Sequence, residues 1–161
     1  MGDYDYLKEV FGAVGVEILF WKVAQKPGKP MTFGVHSGRP VFALPGNPVS
    51  TTLSFELYVR PALRKMMGHT RLFRPTVRAV LEENIRKKTG RRNFIRGIVE
   101  RRENGVLYAR STGEQGSGIL RSMSEANGII ILPEDTDGAK AGDKVDIYLI
   151  DSEEALCTDG D

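Results

Sequence analysis

Seven residues constrain this chain more than any others: Leu44-Pro45-Gly46-Asn47-Pro48-Val49-Ser50. An apolar strand, Val41-Phe42-Ala43-Leu44, leads into them. A helical pattern leaves them, running to about Met67 and stopping at Gly68. Asn47 is a good N-cap, and Pro48 suits the first helical position, where its missing N–H costs nothing. Ser50 and Thr51 come next with hydroxyls in the first turn, at the positive end of the helix dipole. A strand, a glycine turn and a capped helix start make a candidate anion site, with Gly46, Asn47, Ser50 and Thr51 around it. A strand-to-helix connection that binds nothing has the same signature, so this stretch alone leaves both readings open.

Upstream, Asp5 to Phe11 reads as a helix with Leu7, Val10 and Phe11 on one face and Asp3 or Asp5 as its cap. Val16 to Val23 is almost continuously apolar, the pattern of a strand covered on both faces of a parallel sheet. Gln25-Lys26-Pro27-Gly28-Lys29-Pro30 excludes both helix and central strand and reads as a stiff loop presenting two lysines. Met31–Val35 and Val41–Leu44 form a hairpin through Ser37-Gly38. The helix from Pro48 is apolar round most of its circumference, and Pro61 should kink or divide it.

After Gly68 the period shortens to two. Val77, Ala79 and Leu81 alternate with polar neighbours, and Phe94–Val99 and Val106–Arg110 flank Asn104-Gly105, a strong hairpin signal. A Gly-rich loop over 113–118 precedes a short helix, Ile119 to Asn127, and Ile129–Leu132 and Val145–Ile150 complete a small barrel or sandwich. The fold class is therefore α/β followed by all-β, with one unit over 1–70, a second over 71–161 and a disordered tail in its last ten residues.

At 161 residues, 40% of them hydrophobic, the chain can bury a real core. No run is long enough to span a membrane, Met-Gly-Asp-Tyr-Asp is no signal peptide, and the single cysteine, Cys157, excludes an internal disulfide; these fit a cytoplasmic protein. The net charge of +2 hides an asymmetry: residues 71–111 hold twelve Lys/Arg against four Asp/Glu, and residues 112–161 hold three against twelve. Either the basic stretch, densest over 86–102, binds nucleic acid, or the two stretches neutralise each other as neighbouring strands. Few aromatics interleave with the basic run, which weakens the first reading.

The chemistry-bearing residues of the first half are Lys26 and Lys29, the helix start, and Asp3 and Asp5. Lysines suit phosphate as point charges, and carboxylates beside phosphates commonly hold Mg²⁺. Plain helix capping explains the aspartates equally well. His36 and His69 are too few and too isolated for a metal site, and neither Ser50 nor Ser117 has a visible triad partner.

Three motifs in order, Lys26-Pro27-Gly28-Lys29-Pro30, then Leu44 to Ser50, then Ser111-Thr112-Gly113 with Gln115 and Ser117, resemble the C-terminal half of a molybdopterin molybdenumtransferase. This is the MoeA family, to which the E domain of gephyrin also belongs. The resemblance runs to about Ile150. It implies part of an α/β/α, MogA-like molybdopterin-binding domain followed by a small β-barrel, acting as a homodimer on adenylated molybdopterin and molybdate with Mg²⁺. By motif, Asp5 matches a catalytic or metal-linked aspartate, Lys26, Lys29 and Ser50 match anion-binding positions, and Arg96 and Ser117 match residues that hold molybdate. The family carries Gly-Gly-Val-Ser-Val directly before this Gly2-Asp3, where the chain has Met1. The expectation is a truncated chain, inactive alone. A non-catalytic scaffold of the gephyrin type is the rival within the resemblance.

Overall fold

The computed structural model describes residues 4–113, 115 and 124–150. Asp3, Ser117, most of the expected 119–127 helix and the tail with Cys157 lie outside the described residues, as does the side chain of Asp5.

Helix α1 (Tyr4–Ala13) is followed by β1 (Glu17–Trp21), the two-residue β2 (Gln25–Lys26), β3 (Thr32–His36) and β4 (Arg39–Ala43). β1, β3 and β4 form a three-stranded antiparallel sheet with β3 in the middle. Ser37 and Gly38 turn the β3–β4 hairpin at φ 49° and 74°, both positive as a two-residue hairpin turn demands. Phe20, Phe33 and Phe42 are register partners across the three strands, with ring centroids 5.5 and 4.8 Å apart. The parallel, two-faced setting expected for β1 is not what forms. β1 runs antiparallel to β3, the register slips between Ile18 and Phe20, and Leu19 at the slip is exposed. A bulge of this kind takes a residue out of the alternation, so a continuous apolar run need not mean two covered faces.

The long helix is three segments: α2 (Pro48–Ser54), a π-helical turn (Phe55–Val59) and α3 (Arg60–Met66). Pro61 cannot donate into the preceding turn, and the chain absorbs this by widening, so that the Arg60 N–H reaches back to the Phe55 carbonyl. At the end, Gly68 (φ 81°) lets its own N–H reach Lys65 and the His69 N–H reach Arg64, a Schellman stop.

The second half is a barrel. Strands β5 (Thr76–Leu81), β7 (Arg92–Arg101), β8 (Leu107–Ser111), β9 (Gly128–Leu132) and β11 (Lys144–Leu149) pair in the order β7-β8-β5-β11-β9 and close through β9 onto β7. Of these five strands' pairings, β5 with β8 is the parallel one among the described residues. Short β6 (Ile85–Arg86) and β10 (Gly138–Ala139) pair beside it. Ala79, Leu81, Leu107, Ala109, Ile130 and Ile147 fill its interior from alternate positions, each 8% exposed or less. β7 changes partner from β9 to β8 at Gly97, which faces Gly128 on one side and Ser111 on the other. A Cβ on Gly128 would stand 2.8 Å from both Ile147 and Val99.

The helix packs on the outside of this barrel. Leu53 and Leu57 join Phe94, Ile129 and Tyr148 in a second apolar cluster, and the Tyr148 hydroxyl donates to the Glu56 carbonyl at 3.1 Å. Arg74 clasps the Glu56 carboxylate with two bonds of 2.7 and 3.1 Å. No helix among the described residues is long and apolar enough to cross a membrane.

Candidate functional site

The lysine loop reaches the barrel through β2, whose Gln25 and Lys26 pair in parallel with Arg92 and Asn93 of β7. The next residues of β7, Phe94, Ile95 and Arg96, therefore run alongside Lys26 and Pro27. Between them opens a cleft of about 530 Å³, whose far wall is Glu83 to Arg86, with Ser111 and Gln115 at one end. Lys26 and Arg96, seventy positions apart in the chain, thus share one cavity with Arg86. Among the described lining residues, three cationic side chains meet one carboxylate, Glu83, whose Oε1 accepts the Ser111 N–H at 2.6 Å. Such a cleft favours an anion.

Arg96 is only 2% exposed, and burial draws its guanidinium below the ordinary arginine value while leaving it a cation at neutral pH. Its main chain is clamped. The Arg96 N–H donates to Gln115 Oε1 at 3.0 Å, and Gln115 Nε2 donates back to the Arg96 carbonyl at 3.2 Å. The Thr112 N–H also reaches that carbonyl, at 3.0 Å. Asn127 repeats the arrangement three residues along β7: its carboxamide accepts from the Val99 N–H and donates to the Val99 carbonyl, both at 2.8 Å. Side-chain amides thus take the place of a strand's peptide groups where β8 and β9 no longer reach.

The helix start is well formed. Asn47 Oδ1 accepts from the Val49 and Ser50 amides at 3.1 and 3.3 Å, and the Thr51 hydroxyl faces the carbonyls of Pro45 and Asn47. Asn47 caps and Pro48 opens α2, as the sequence indicates. Those two amides and the Thr51 hydroxyl are thereby engaged within the turn, and Ser50 is 6% exposed. Gly46, Asn47, Ser50 and Thr51 do not line the cleft, nor does Lys29, which is exposed.

Four residues of the site carry no sequence signal that singled them out. Glu83 and Arg86 line the cleft; Arg86 was visible only as one member of the basic run. Gln25 and Tyr58 stand behind it, the phenol donating to Gln25 Oε1 at 2.5 Å. Part of the basic stretch over 71–111 meets acids. Arg92 meets Glu134 at 3.1 Å, Arg78 meets Asp146 at 3.6 Å, and Arg102 and Arg110 meet Glu82 and Glu100. The exposed Glu134 carboxyl is held below its ordinary value by its own backbone N–H first and by Arg92 second. Glu134 and Asp146 bring the acidic stretch against the basic one at two points.

Among the described residues no three His, Cys, Asp or Glu side chains gather as a metal cage. Mg²⁺ needs fewer, since it keeps several waters and takes one or two carboxylates together with substrate phosphates. Asp3 and Asp5 have the right donor chemistry for that.

Comparison with known proteins bears on the same two halves. Residues 1–65 match the probable molybdopterin binding domain, and residues 78–150 match the MoeA C-terminal region (domain IV). A molybdopterin molybdenumtransferase of Staphylococcus epidermidis is 38% identical over 152 residues, covering 94% of this chain and 36% of its own length. That of Staphylococcus aureus is 37% identical over 155 residues, covering 96% and 37%. Among solved structures, the molybdopterin biosynthesis moeA protein of Pyrococcus horikoshii superposes with a TM-score of 0.67 at 34% identity, over 91% of this chain and 38% of that one. A molybdenum cofactor biosynthesis protein from Pyrococcus furiosus gives 0.69 at 34% identity, over 83% and 46%. The chain spans little more than a third of the length of these curated relatives, and by the order of its two matched regions and the fold they share it belongs to the MoeA family of molybdopterin molybdenumtransferases.

Proposed function

We propose that this chain forms part of an enzyme that inserts molybdate into adenylated molybdopterin with release of AMP. The observation that carries the reading is the cleft in which Lys26 of the proline-bounded loop and Arg96 of the barrel converge beside Arg86. Molybdate is a tetrahedral dianion, and a cradle of guanidinium, ammonium and hydrogen-bond donors answers its charge and shape. Arg96 and Ser117 hold the oxyanion; Lys26 and Lys29 neutralise charge at the departing phosphate and its neighbours. Gly46, Asn47, Ser50 and Thr51, at the start of α2, border the molybdopterin side of the substrate.

Asp3 and Asp5 supply carboxylates for Mg²⁺, with Asp5 also the catalytic aspartate. The metal's contribution when bound is to offset negative charge on the phosphates. Two copies of the chain work together as a homodimer in the cytoplasm. A scaffold role of the gephyrin type has no observation here that favours it.

The test is a titration of adenylated molybdopterin into the intact protein, followed by Trp21 fluorescence, with molybdate-dependent AMP release as the second readout. Trp21 lies under the Lys8 and Lys22 ammonium groups, at 3.3 and 4.2 Å, and close in sequence to the lysine loop. Saturable binding that Lys29→Ala weakens, and AMP release that Lys26→Ala lowers at least tenfold, support the reading. Turnover indifferent to both substitutions would refute it.

A further inference from the structure

Resting on the functional reading above, we propose that Tyr58 and Gln25 are positioning residues for the lysine loop: Tyr58 acts through the Gln25 carboxamide to hold Lys26 at the cleft, and so sets the affinity for the oxyanion substrate.

Gln25 is a polar side chain only 2% exposed. Burying a carboxamide requires partners at both ends, and it has them. Nε2 donates to the Pro27 carbonyl at 3.0 Å, and Oε1 accepts from the Tyr58 hydroxyl at 2.5 Å. The first bond ties the loop to itself across Lys26; the second ties it to a helix 33 residues away. The main chain is held as well. Gln25 pairs with Arg92 of β7, and the Arg92 N–H donates to the Ala24 carbonyl at 2.9 Å. Gly28 then folds down on the same carboxamide so closely that a Cβ there would stand 2.6 Å from Nε2.

An aliphatic side chain could fill this space. The amide adds direction, because its bonds fix where Pro27, and with it Lys26, can lie. Tyr58 provides the outer anchor from within the π-helical turn over Phe55–Val59. Lys26 is the next residue after Gln25, pairs with Asn93 and lines the cleft with Arg96. A loop displaced by about 1 Å there changes how the lysine meets a bound anion.

The experiment uses the intact protein as wild type, Tyr58→Phe, Gln25→Met and the double variant, with Lys29→Ala alongside. KM for molybdate and kcat are read from AMP release, and the thermal midpoint is read for each. Tyr58→Phe should raise KM for molybdate about three- to tenfold, the worth of one hydrogen bond, with kcat within about twofold of wild type. The double variant should be no worse than Gln25→Met alone, because both substitutions cut one connection. A lowered thermal midpoint with unchanged KM would make Tyr58 a purely structural residue. Multiplicative losses in the double variant would equally sink the proposal, since Tyr58 would not be acting through Gln25. Absence of molybdate-dependent AMP release from the wild type would overturn the functional reading itself, and with it this one. If Lys29→Ala weakens turnover while Tyr58→Phe leaves KM for molybdate unchanged, only the positioning role falls.

Discussion

Gly28→Ala should be among the most damaging small substitutions in the first half of the chain, although it adds one methyl group to a loop. Two costs combine. Gly28 has φ 92°, where an L residue is strained by about 1–2 kcal/mol. The new Cβ would also meet Gln25 Nε2 at 2.6 Å and the Ser54 hydroxyl at 3.0 Å. Ser54 is fully buried, its hydroxyl without a hydrogen-bond partner among the described residues, so it has little room to yield. Gln25 must move instead, and its bonds to Pro27 and Tyr58 are worth about 0.5–1.5 kcal/mol each. Against this stands the lower entropy of the unfolded alanine chain, about 0.4–1 kcal/mol in favour. The balance is a loss of about 1–4.5 kcal/mol. With a urea m-value of about 2 kcal/mol/M, the unfolding midpoint should fall by about 0.5–2 M at unchanged slope. Equilibrium urea unfolding followed by far-UV circular dichroism reads this directly. A midpoint within about 0.2 M of wild type would show that neither the backbone strain nor the displaced carboxamide matters. Placing Gly28→Ala in a Tyr58→Phe background separates the two terms, since one of the Gln25 bonds is already absent there and the glycine substitution should cost less.

Gln115→Ala should destabilise the barrel by about 1–3 kcal/mol, because the buried Arg96 N–H loses its acceptor while the Arg96 carbonyl keeps Thr112. Gln115→Glu retains that acceptor and should cost less; a urea midpoint as low as that of the alanine variant would contradict the assignment. At alkaline pH, Tyr58 and Tyr148 should limit stability. Burial raises both phenols above the ordinary value of 10.0, Arg92 opposing the shift at Tyr58, so the folded state holds these protons more tightly than the unfolded chain. Their contribution is complete below about pH 10 and is lost as pH rises through the raised folded values. Urea midpoints measured from pH 8 to 11 should fall above pH 10, less steeply in Tyr148→Phe, and identical slopes in the two proteins would refute the argument.

The features legible in the sequence were local. The Asn104-Gly105 turn and the alternation of Val77, Ala79 and Leu81 come from backbone preference and a two-residue period, and both stand in the barrel. Asn47 before Pro48 specifies a helix start without help from the rest of the fold. Pro61 announced an interruption but not its form, because a kink and a π-helical turn both relieve the missing N–H. The apolar run at β1 misled, since apolarity records that a residue can be covered and not which neighbour covers it; the bulge at Leu19 is set by pairing with β3.

The same division runs through the site. Lys26 and Arg96 were visible as charges in distinctive company, yet their meeting depends on two residues of parallel pairing between β2 and β7, a contact with no local signature. The groups that aim them, Gln25, Tyr58 and Gln115, are neutral; Gln115 stood in the third motif, but nothing in the type or spacing of Gln25 or Tyr58 separates those two from solvated polar residues. Their role exists only once a carboxamide is buried with an acceptor on one side and a donor on the other. A cationic cleft can attract an oxyanion with its charges alone, because that attraction is long-ranged and tolerant of geometry. Discriminating one bound pose from another is short-ranged, and falls to the uncharged residues that fix where the charges sit. Substitutions of Lys26 should therefore weaken binding most at low ionic strength, whereas Tyr58→Phe should alter the molybdate KM by a factor that salt leaves nearly unchanged. Measuring both between about 20 and 300 mM KCl separates attraction from aim, and a Tyr58→Phe effect that fades with salt would place that residue among the charges' long-range partners instead.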